Sequence, residues 1–496
     1  MSWHGRALAA TTAMTVVATA LCAAVALPGQ AAAAGTQVGA AGKQVGASGK
    51  QLEASGTPKP YAFAEDATPV EGTADTTHSV RLEPGKAYKS SVGRDGKLYY
   101  RLELDATSNA YVSATAIPRA GEAVTYGDGI RVSVQDGNSR NCSFSGTTRF
   151  GATQSSHPIA AWASRESDSE QYACQTAGTY YVVVERSGTT GSSSGDWDLE
   201  LTYVSEPSLK KAGSTSAPET WNSASPDALT GDPESRGGGA GFTRATSLEQ
   251  GVWQDTISPG QTLFYKVPVD WGQQLYTTAE LGSSNSGGDG YLGTALAMSL
   301  YNPVRGLVDD EGSGYDGSQR SATLDPLPPV AYENRYAPNN RVSGMRFAGS
   351  YYLVVHLAEQ VADKFGDGPF GLSLRVRVDG TAQAGPAYAG RAQPRDAFDV
   401  PAGALEGAAG DDGERGSSGR SSGSGSGTMK LVAAGGIGVG SFLVLGLGMW
   451  TVVARRAGRV PEDADTDTVP GPCASAGAGA SPQTSTPRDR RAPRHR

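Results

Sequence analysis

The chain has 496 residues, of which 38% are hydrophobic and 19% are charged, and its formal net charge at pH 7 is −8. This charge is small for the length and negative, whereas a surface that binds nucleic acid needs an excess of lysine and arginine. Nucleic acid is therefore excluded as an expected partner.

The first 34 residues have the pattern of a secretory signal peptide. Arg6 precedes an apolar run that ends at "PGQAAAA", and these small residues suit cleavage between Ala32 and Ala34. Leu21 stands before Cys22, where a lipoprotein signal needs a small residue, so lipid attachment is not expected. We therefore expect the chain to be exported.

Residues 35–76 contain a heptapeptide repeat, "QVGAAGK", "QVGASGK" and "QLEASGT". A period of seven is typical of coiled coils, but each copy has a single sizeable apolar residue and two copies have two glycines. Each glycine costs a helix about 1 kcal/mol relative to alanine. This segment is predicted to be a flexible spacer.

Two blocks, residues 77–205 and 242–380, repeat four short patterns in the same order. The pairs are "LEPG" and "LEQG", "LYYRLEL" and "LFYKVPV", "AGTYYVVVE" and "AGSYYLVVH", and "GDWDLELTY" and "GPFGLSLRV". The spacing between the copies varies only by amounts that loops absorb. We interpret the two blocks as a duplicated domain.

The repeated patterns alternate with period two, which indicates half-buried β-strands. Leu98–Leu104 alternates in this way, and in the closing pattern of the first copy Asp198 and Glu200 face outward. Further strands are predicted at Ile130–Asp136 and Thr294–Asn302. The predicted fold is all-β, with two tandem antiparallel β-sandwich (jelly-roll-like) domains and one C-terminal transmembrane helix.

The phrases "AGTYYVVVE" and "AGSYYLVVH" have apolar residues on both faces of the predicted strand. Tyr181 and Val183, with Tyr352 and Val354 in the second copy, lie opposite the core side, on the face where His356 is expected to be solvated. A neighbouring strand or the connector between the blocks could cover these four residues. Alternatively, they form a contact strip between the two modules or with a partner.

The order of the patterns resembles the bacterial pre-peptidase C-terminal type of β-sandwich. The shared features are a leucine–x–x–glycine start, a strand ending in "YYR" or "FYK", a late "AGTYYV" strand and an aromatic–x–leucine–x–leucine closing strand. This resemblance covers roughly half of the chain and implies binding or accessory modules of secreted enzymes and surface proteins. However, the second block lacks a cysteine pair, and no peptidase domain accompanies the modules. The whole arrangement also resembles a family of actinobacterial exported membrane proteins.

Composition predicts three more flexible segments. Glycine, proline, serine and alanine dominate a linker at 206–241, a stalk at 381–430 and a cytoplasmic tail at 455–496. Such compositions do not bury enough apolar surface to fold, and the tail is predicted to be disordered.

Residues 431–454 are apolar, contain no charge and are long enough to cross a hydrocarbon core of roughly 30 Å. Arginines follow this segment and only Lys430 precedes it, so the positive-inside rule places the tail in the cytoplasm. Gly436 and Gly440 have the G-x-x-x-G spacing of close helix pairs, which suggests a helix-mediated homodimer. We expect a single-pass cell-membrane protein with a large extracellular N-terminal region.

Four cysteines are present, but Cys22 leaves with the signal peptide and Cys473 lies in the predicted tail. The other two, Cys142 and Cys174, are both exported to an oxidising compartment. We predict that they form a disulfide bond.

The acidic stretch "DDEGSGYDG" offers oxygen ligands for calcium, although it does not follow the EF-hand order. The candidate ligands are Asp309, Asp310, Glu311 and Asp316. Solvated turns have the same composition, so the prediction for cofactors is none, with calcium as the candidate to test.

"GSSSG" at 191–195 matches the nucleophile-elbow pattern of hydrolases, but that motif needs a helix after the serine, and here a strand follows directly. We interpret it as a loop.

These observations favour a non-enzymatic cell-surface protein whose two modules stand on a membrane-anchored stalk and bind envelope proteins or polysaccharide. The alternative is an accessory subunit of an extracellular hydrolase, or a hydrolase whose site has no local motif. An enzyme would bring titratable groups together in a deep pocket, whereas a binding module would present a shallow apolar patch.

Overall fold

The computed structural model describes residues 59–167, 173–227 and 229–400. The predicted signal peptide, transmembrane helix and tail lie outside these residues, as do most of the predicted spacer and the second half of the predicted stalk. In the part of the chain that is described, no helix is long and apolar enough to cross a membrane.

Module 1 is a β-sandwich of two mainly antiparallel sheets. Its strands are β1 (Thr68–Pro69), β2 (Ala87–Val92), β3 (Lys97–Leu104), β4 (Asn109–Ile117), β5 (Gly129–Gln135), β6 (Gly146–Arg149), β7 (Ile159–Arg165), β8 (Gly178–Ser187) and β9 (Trp197–Glu206). Sheet I has the strand order β1-β2-β9-β4-β7, and sheet II has the order β3-β8-β5-β6.

Module 2 is a second β-sandwich. Its strands are β10 (Glu234–Ser235), β11 (Thr246–Ser247), β12 (Gly251–Ile257), β13 (Thr262–Val269), β14 (Gln274–Leu281), β15 (Leu292–Tyr301), β16 (Leu307–Tyr315), β17 (Arg320–Thr323), β18 (Gly349–Leu357) and β19 (Phe370–Asp379). Sheet III has the order β10-β12-β19-β14-β17, and sheet IV has the order β11-β13-β18-β15-β16. Two short helices, α1 (Asn340–Ser343) and α2 (Val361–Phe365), lie in its connections.

The strand order shows that the two modules have the same topology. Sheet III repeats the order of sheet I, and sheet IV repeats that of sheet II with β11 added at one edge. At the place of β11, module 1 has a single parallel bridge between Arg81 and Arg101. The register is also kept, because Leu102 pairs with Tyr180 in module 1 and Val267 pairs with Tyr351 in module 2.

The predicted alternation is confirmed in the cores. In module 1, Tyr100 and Leu102 from sheet II pack in one buried cluster with Trp197 and Leu199 from sheet I. Module 2 has its own buried cluster, to which Val267 and the other core-facing residues of sheets III and IV contribute. Because each module buries a separate core between its two sheets, the all-β sandwich prediction is confirmed for both.

The predicted disulfide between Cys142 and Cys174 is confirmed. Cys142 follows β5 and donates its backbone N–H to Val134 O at 2.8 Å, while Cys174 precedes β8 and is buried. The disulfide bond therefore links the two ends of the segment that contains β6 and β7 at the centre of sheet II.

Replacing both Cys142 and Cys174 by Ser is expected to lower the free energy of unfolding by about 2–4 kcal/mol, because the bond closes a loop whose ends are 32 residues apart. Urea unfolding of the oxidised wild type and of the double variant measures this difference. Wild type treated with reductant is the control, since it should match the double variant. An unchanged midpoint would contradict a structural role for the bond.

Three segments expected to be flexible are instead packed within the described residues. β10 of the predicted linker pairs with β12, and Asn222 O accepts a hydrogen bond from Gln274 at 2.9 Å. In the predicted stalk, Phe398 is buried and stacks on Phe347. In the predicted spacer, the ring of Tyr61 packs edge-on against Phe264. In the stalk and the spacer the physical reason is that single aromatic residues, Phe398 and Tyr61, pack against the modules, which average composition does not reveal. In the linker the backbone makes the contacts.

Candidate functional site

The two modules share a buried interface between non-equivalent sheets. The side of sheet I that faces away from the module 1 core lies against the side of sheet IV that faces away from the module 2 core. One apolar cluster joins Tyr111 and Trp162 of module 1 to Val304 and Phe347 of module 2. Tyr111 meets Phe347 edge-on at 5.1 Å between ring centroids.

A second apolar cluster lies further along the same interface. Phe242, Phe264 and Val354 of module 2 pack there with Ala160 of β7 in module 1. The N-terminal strap, which we define as residues 59–65, crosses this part of the interface. Its backbone pairs with the linker through Ala62 N–H, which donates to Ala240 O at 2.9 Å.

Among the described residues, three ion pairs join a glutamate of module 1 to an arginine of module 2 across the interface. The pairs are Glu200 with Arg305 at 3.2 Å, Glu206 with Arg335 at 2.8 Å and Glu166 with Arg346 at 3.0 Å. All six side chains are buried. Burial alone would raise the pKa of Glu206, but the charge and hydrogen bonds of Arg335 outweigh it and hold that pKa below its ordinary value.

Two histidines stack across the interface. The rings of His157 and His356 lie 4.3 Å apart between centroids with an interplanar angle of 21°. Burial, which removes water from the charged form, lowers the pKa of His157 to about 4, and it lowers the pKa of His356 well below its ordinary value. The expectation that His356 is solvated is wrong, because module 1 covers this face of sheet IV and leaves the side chain buried.

Ser155 and His356 form a hydrogen bond that resembles part of a catalytic dyad. Ser155 Oγ lies 2.9 Å from His356 Nε2, and His356 Nδ1 lies 3.1 Å from Gln261 O. However, Ser155 is fully buried and its Oγ also accepts the backbone N–H of Glu359 at 3.1 Å. The pair therefore joins the two modules and is closed to a substrate.

A cleft of about 480 Å³ opens at the edge of this interface. Tyr61 and Phe63 of the strap line it together with Thr262 and Phe264 of module 2. Module 1 supplies the remaining wall with residues 156–158, with the end of β4 and with the start of β9. Because all three parts are needed, the cleft exists only in the assembled pair of modules.

Polar groups line the cleft, and one of them has no hydrogen-bond partner within the described part of the chain. Ser156 is 6% exposed, and among the described residues its Oγ has no hydrogen-bond partner. His157 Nδ1 lies 2.7 Å from Ser155 O, which can only accept. In the neutral ring Nδ1 is therefore the donor, and Nε2 remains as an acceptor. The residues that line the cleft thus include one buried hydroxyl without a partner and one acceptor nitrogen.

Charged groups of both signs surround the cleft. Lys59 and Arg119 contribute two positive charges, and Asp196 and Asp198 contribute two negative ones. All four side chains are exposed, and within the described residues neither carboxylate takes part in an ion pair. The formal charge of this rim is therefore zero.

The calcium candidates do not converge. Asp309, Asp310 and Glu311 are consecutive on β16, so neighbouring side chains point to opposite faces of the sheet. Asp309 pairs with Arg341 at 3.0 Å, and Asp316 pairs with Arg320. Among the residues that the structure describes, no group of three or more His, Cys, Asp or Glu side chains is placed to hold a metal.

The four residues of the proposed contact strip lie in two different environments. Tyr352 and Val354 face module 1 within the second apolar cluster. Tyr181 and Val183 occupy the equivalent face of sheet II, where Val183 is fully buried and Tyr181 is partly buried. The "GSSSG" stretch is a loop that connects β8 to β9, and Ser192 Oγ in it donates to Asp128 at 2.6 Å.

Comparisons with known proteins identify no relative. No family model matches the sequence, and no curated protein matches it. The fold is similar to that of the CBM22-1-CBM22-2 tandem domain of Xyn10C from Paenibacillus barcinonensis, with 11% identity over 63% of this chain and 90% of that one and a TM-score of 0.16. The CUB1-EGF-CUB2 region of human MASP-1/3 has 9% identity over 59% and 99%, with a TM-score of 0.15. At such TM-scores neither similarity bears on function.

Proposed function

We propose that the chain is a non-enzymatic binding protein of the cell surface, whose two β-sandwiches act as one binding head with the cleft between them as the ligand site. The observation that carries this proposal is the cleft, which both modules and the strap build together. Small-molecule sites favour clefts of about 300–1,000 Å³ at domain interfaces with a few polar groups on apolar walls, and this cleft has that character.

The cellular setting of the head is part of the proposal. The predicted signal peptide and the apolar segment at 431–454 support export with a C-terminal membrane anchor. The disulfide between Cys142 and Cys174 supports an oxidising compartment. In this setting the head stands outside the membrane on the remaining stalk, pairs with a second copy through Gly436 and Gly440, and meets envelope proteins or polysaccharide.

The enzymatic alternative has little support in the site. Its strongest feature is the Ser155–His356 hydrogen bond, and both residues are closed off by the packing of the two modules. In the cleft, His157 stacks on His356, and Asp196 and Asp198 are exposed on the rim rather than held together in a deep pocket. We therefore propose binding rather than catalysis as the role of the cleft.

A substitution that fills the cleft tests the proposal. Ser91 lines the cleft and is exposed, so Ser91→Trp should obstruct it without disturbing either core. We expect the full-length protein to bind cell envelopes of the organism that encodes it, and Ser91→Trp to reduce this binding at least about tenfold, or by 1.4 kcal/mol.

The matched control is Ser318→Trp, which places the same large side chain on an exposed loop of module 2 that does not line the cleft. This variant should bind like the wild type, and the melting temperatures of both variants should equal that of the wild type. Equal envelope binding by wild type and Ser91→Trp would overturn the assignment of the ligand site to the cleft.

A further inference from the structure

We infer that the cleft binds an uncharged carbohydrate, with one or two sugar rings held between the aromatic walls and the orphan polar groups. This inference rests on the proposed function, and it names the chemical class of the ligand. Three features of the cleft lead to it: its charge balance, its apolar walls and its unpartnered hydrogen-bonding groups.

The charge balance of the rim favours a ligand without net charge. Lys59 and Arg119 offset Asp196 and Asp198, and His157 contributes no charge at neutral pH because its burial disfavours the protonated form. A polyanion would meet the two carboxylates, and a polycation would meet the two basic groups. Like charges that meet across an interface weaken the binding of such a ligand. A neutral ligand avoids both penalties.

The walls suit a ligand with an apolar face. Tyr61 and Phe63, whose ring centroids lie 5.2 Å apart, are partly exposed and form an aromatic patch at the cleft. Phe264 is 1% exposed and supports Tyr61 at 5.7 Å between ring centroids. Pro60, Pro118 and Pro158 extend the patch. The C–H face of a sugar ring can cover such a surface, and rigid aromatic groups provide contact area at a small entropic cost.

The polar groups suit a ligand rich in hydroxyls. Among the residues that the structure describes, the buried Ser156 Oγ has no hydrogen-bond partner, and an unsatisfied buried hydroxyl is unfavourable. A sugar hydroxyl can donate to His157 Nε2 or to the carboxylates of Asp196 and Asp198, and it can also accept from Ser156. One kind of ligand group therefore satisfies both the acceptors and the orphan hydroxyl of the cleft.

Two neighbouring serines provide a matched test. Ser156→Ala removes a hydroxyl that has no protein partner, so it should leave the melting temperature unchanged or raise it, yet weaken sugar binding by about 3- to 10-fold. Ser155→Ala removes a hydroxyl that is bonded to His356 and to Glu359 N–H and lies outside the cleft. It should lower the melting temperature instead.

The experiment measures binding of defined probes to the full-length protein in lipid nanodiscs by calorimetry. The neutral probes are maltotriose, cellotriose and N,N′-diacetylchitobiose, and the charged probes are hexalysine and hexaglutamate. We expect at least one neutral probe to bind, with Ser91→Trp abolishing the signal and Ser156→Ala weakening it.

The outcomes separate the two proposals. Suppose that a charged peptide binds, that no neutral sugar binds, and that Ser91→Trp abolishes the peptide binding. This result would overturn the carbohydrate inference and keep the cleft as a ligand site. Sugar binding that Ser91→Trp and Ser156→Ala leave unchanged would place the sugar elsewhere and also overturn the inference. If neither the probes nor the cell envelopes bind in a manner that depends on Ser91, both proposals fail.

Discussion

Replacing Glu200 by Ala is expected to lower the free energy of unfolding by about 3–5 kcal/mol, because the change leaves Arg305 buried without its carboxylate. Glu200 is fully buried between the modules. It also accepts hydrogen bonds from the hydroxyl of Tyr61 and from the backbone N–H of Ala64 at 3.1 Å, so the same substitution detaches the strap. Urea unfolding followed by tryptophan fluorescence measures the loss.

The matched control for this prediction is Glu280→Ala. Glu280 also pairs with an arginine across 3.2 Å, but its partner Arg375 is 38% exposed. Exposed pairs of this kind contribute about 0.2–1 kcal/mol. Adding Arg305→Met to Glu200→Ala should restore part of the lost stability, since no charge is then left buried. If Glu200→Ala costs no more than Glu280→Ala, the two modules do not form the buried interface in solution.

The fold of each module could be predicted from the sequence because alternation depends only on which side of a strand faces the core. The strands predicted at Leu98–Leu104 and Ile130–Asp136 coincide with β3 and β5 to within one residue. The disulfide could be predicted because the expected export would leave only Cys142 and Cys174 outside the cell. These inferences need no knowledge of how distant parts of the chain meet.

The interface could not be predicted in the same way. Alternation with period two indicates a strand with one buried face, whereas both faces of sheet I are buried. Glu200 does face away from the module 1 core, as predicted, but module 2 covers it. A signal for the second buried face does exist in the sequence. "NAYVSATAI" in β4 and "IAAWASR" in β7 consist mostly of apolar and small residues on both sides of the strand, and nearly every residue in them is buried.

The ion pairs and the cleft have no comparable local signal. Arg305, Arg335 and Arg346 lie in connections of module 2 and meet glutamates that are more than a hundred residues away in the chain. His157 and His356 are equally distant in sequence, so no ligand or catalytic spacing could indicate that their rings stack. Such sites depend on the packing of one module against the other, which no local pattern in the sequence indicates.

The stacked histidines make the stability of the head depend on pH below neutrality. In an unfolded chain histidine has a pKa of about 6.5, whereas burial lowers that of His157 to about 4 in the folded protein. Between these values the unfolded state binds a proton that the folded state does not. The stabilising contribution is therefore complete above about pH 6.5 and is lost as the pH falls towards 4. His157 alone accounts for about 3 kcal/mol of this loss at about 1.4 kcal/mol per pH unit.

His356 acts in the same direction, because burial and the neighbouring His157 both lower its pKa. Among the described residues, the hydrogen-bond and ring contacts of the pair include Ser155, Gln261, Thr262 and Phe150, and none of these four carries a charge that would stabilise an imidazolium. The measurement is the free energy of unfolding of wild type and of His157→Gln/His356→Gln between pH 7.5 and pH 4.5. We expect the wild type to lose more stability on acidification than the double variant. His78→Gln, which removes an exposed histidine, should follow the wild type. If the free energy of unfolding falls with pH equally steeply in the wild type and in the double variant, the rings titrate as they do in water and do not stack in a buried interface.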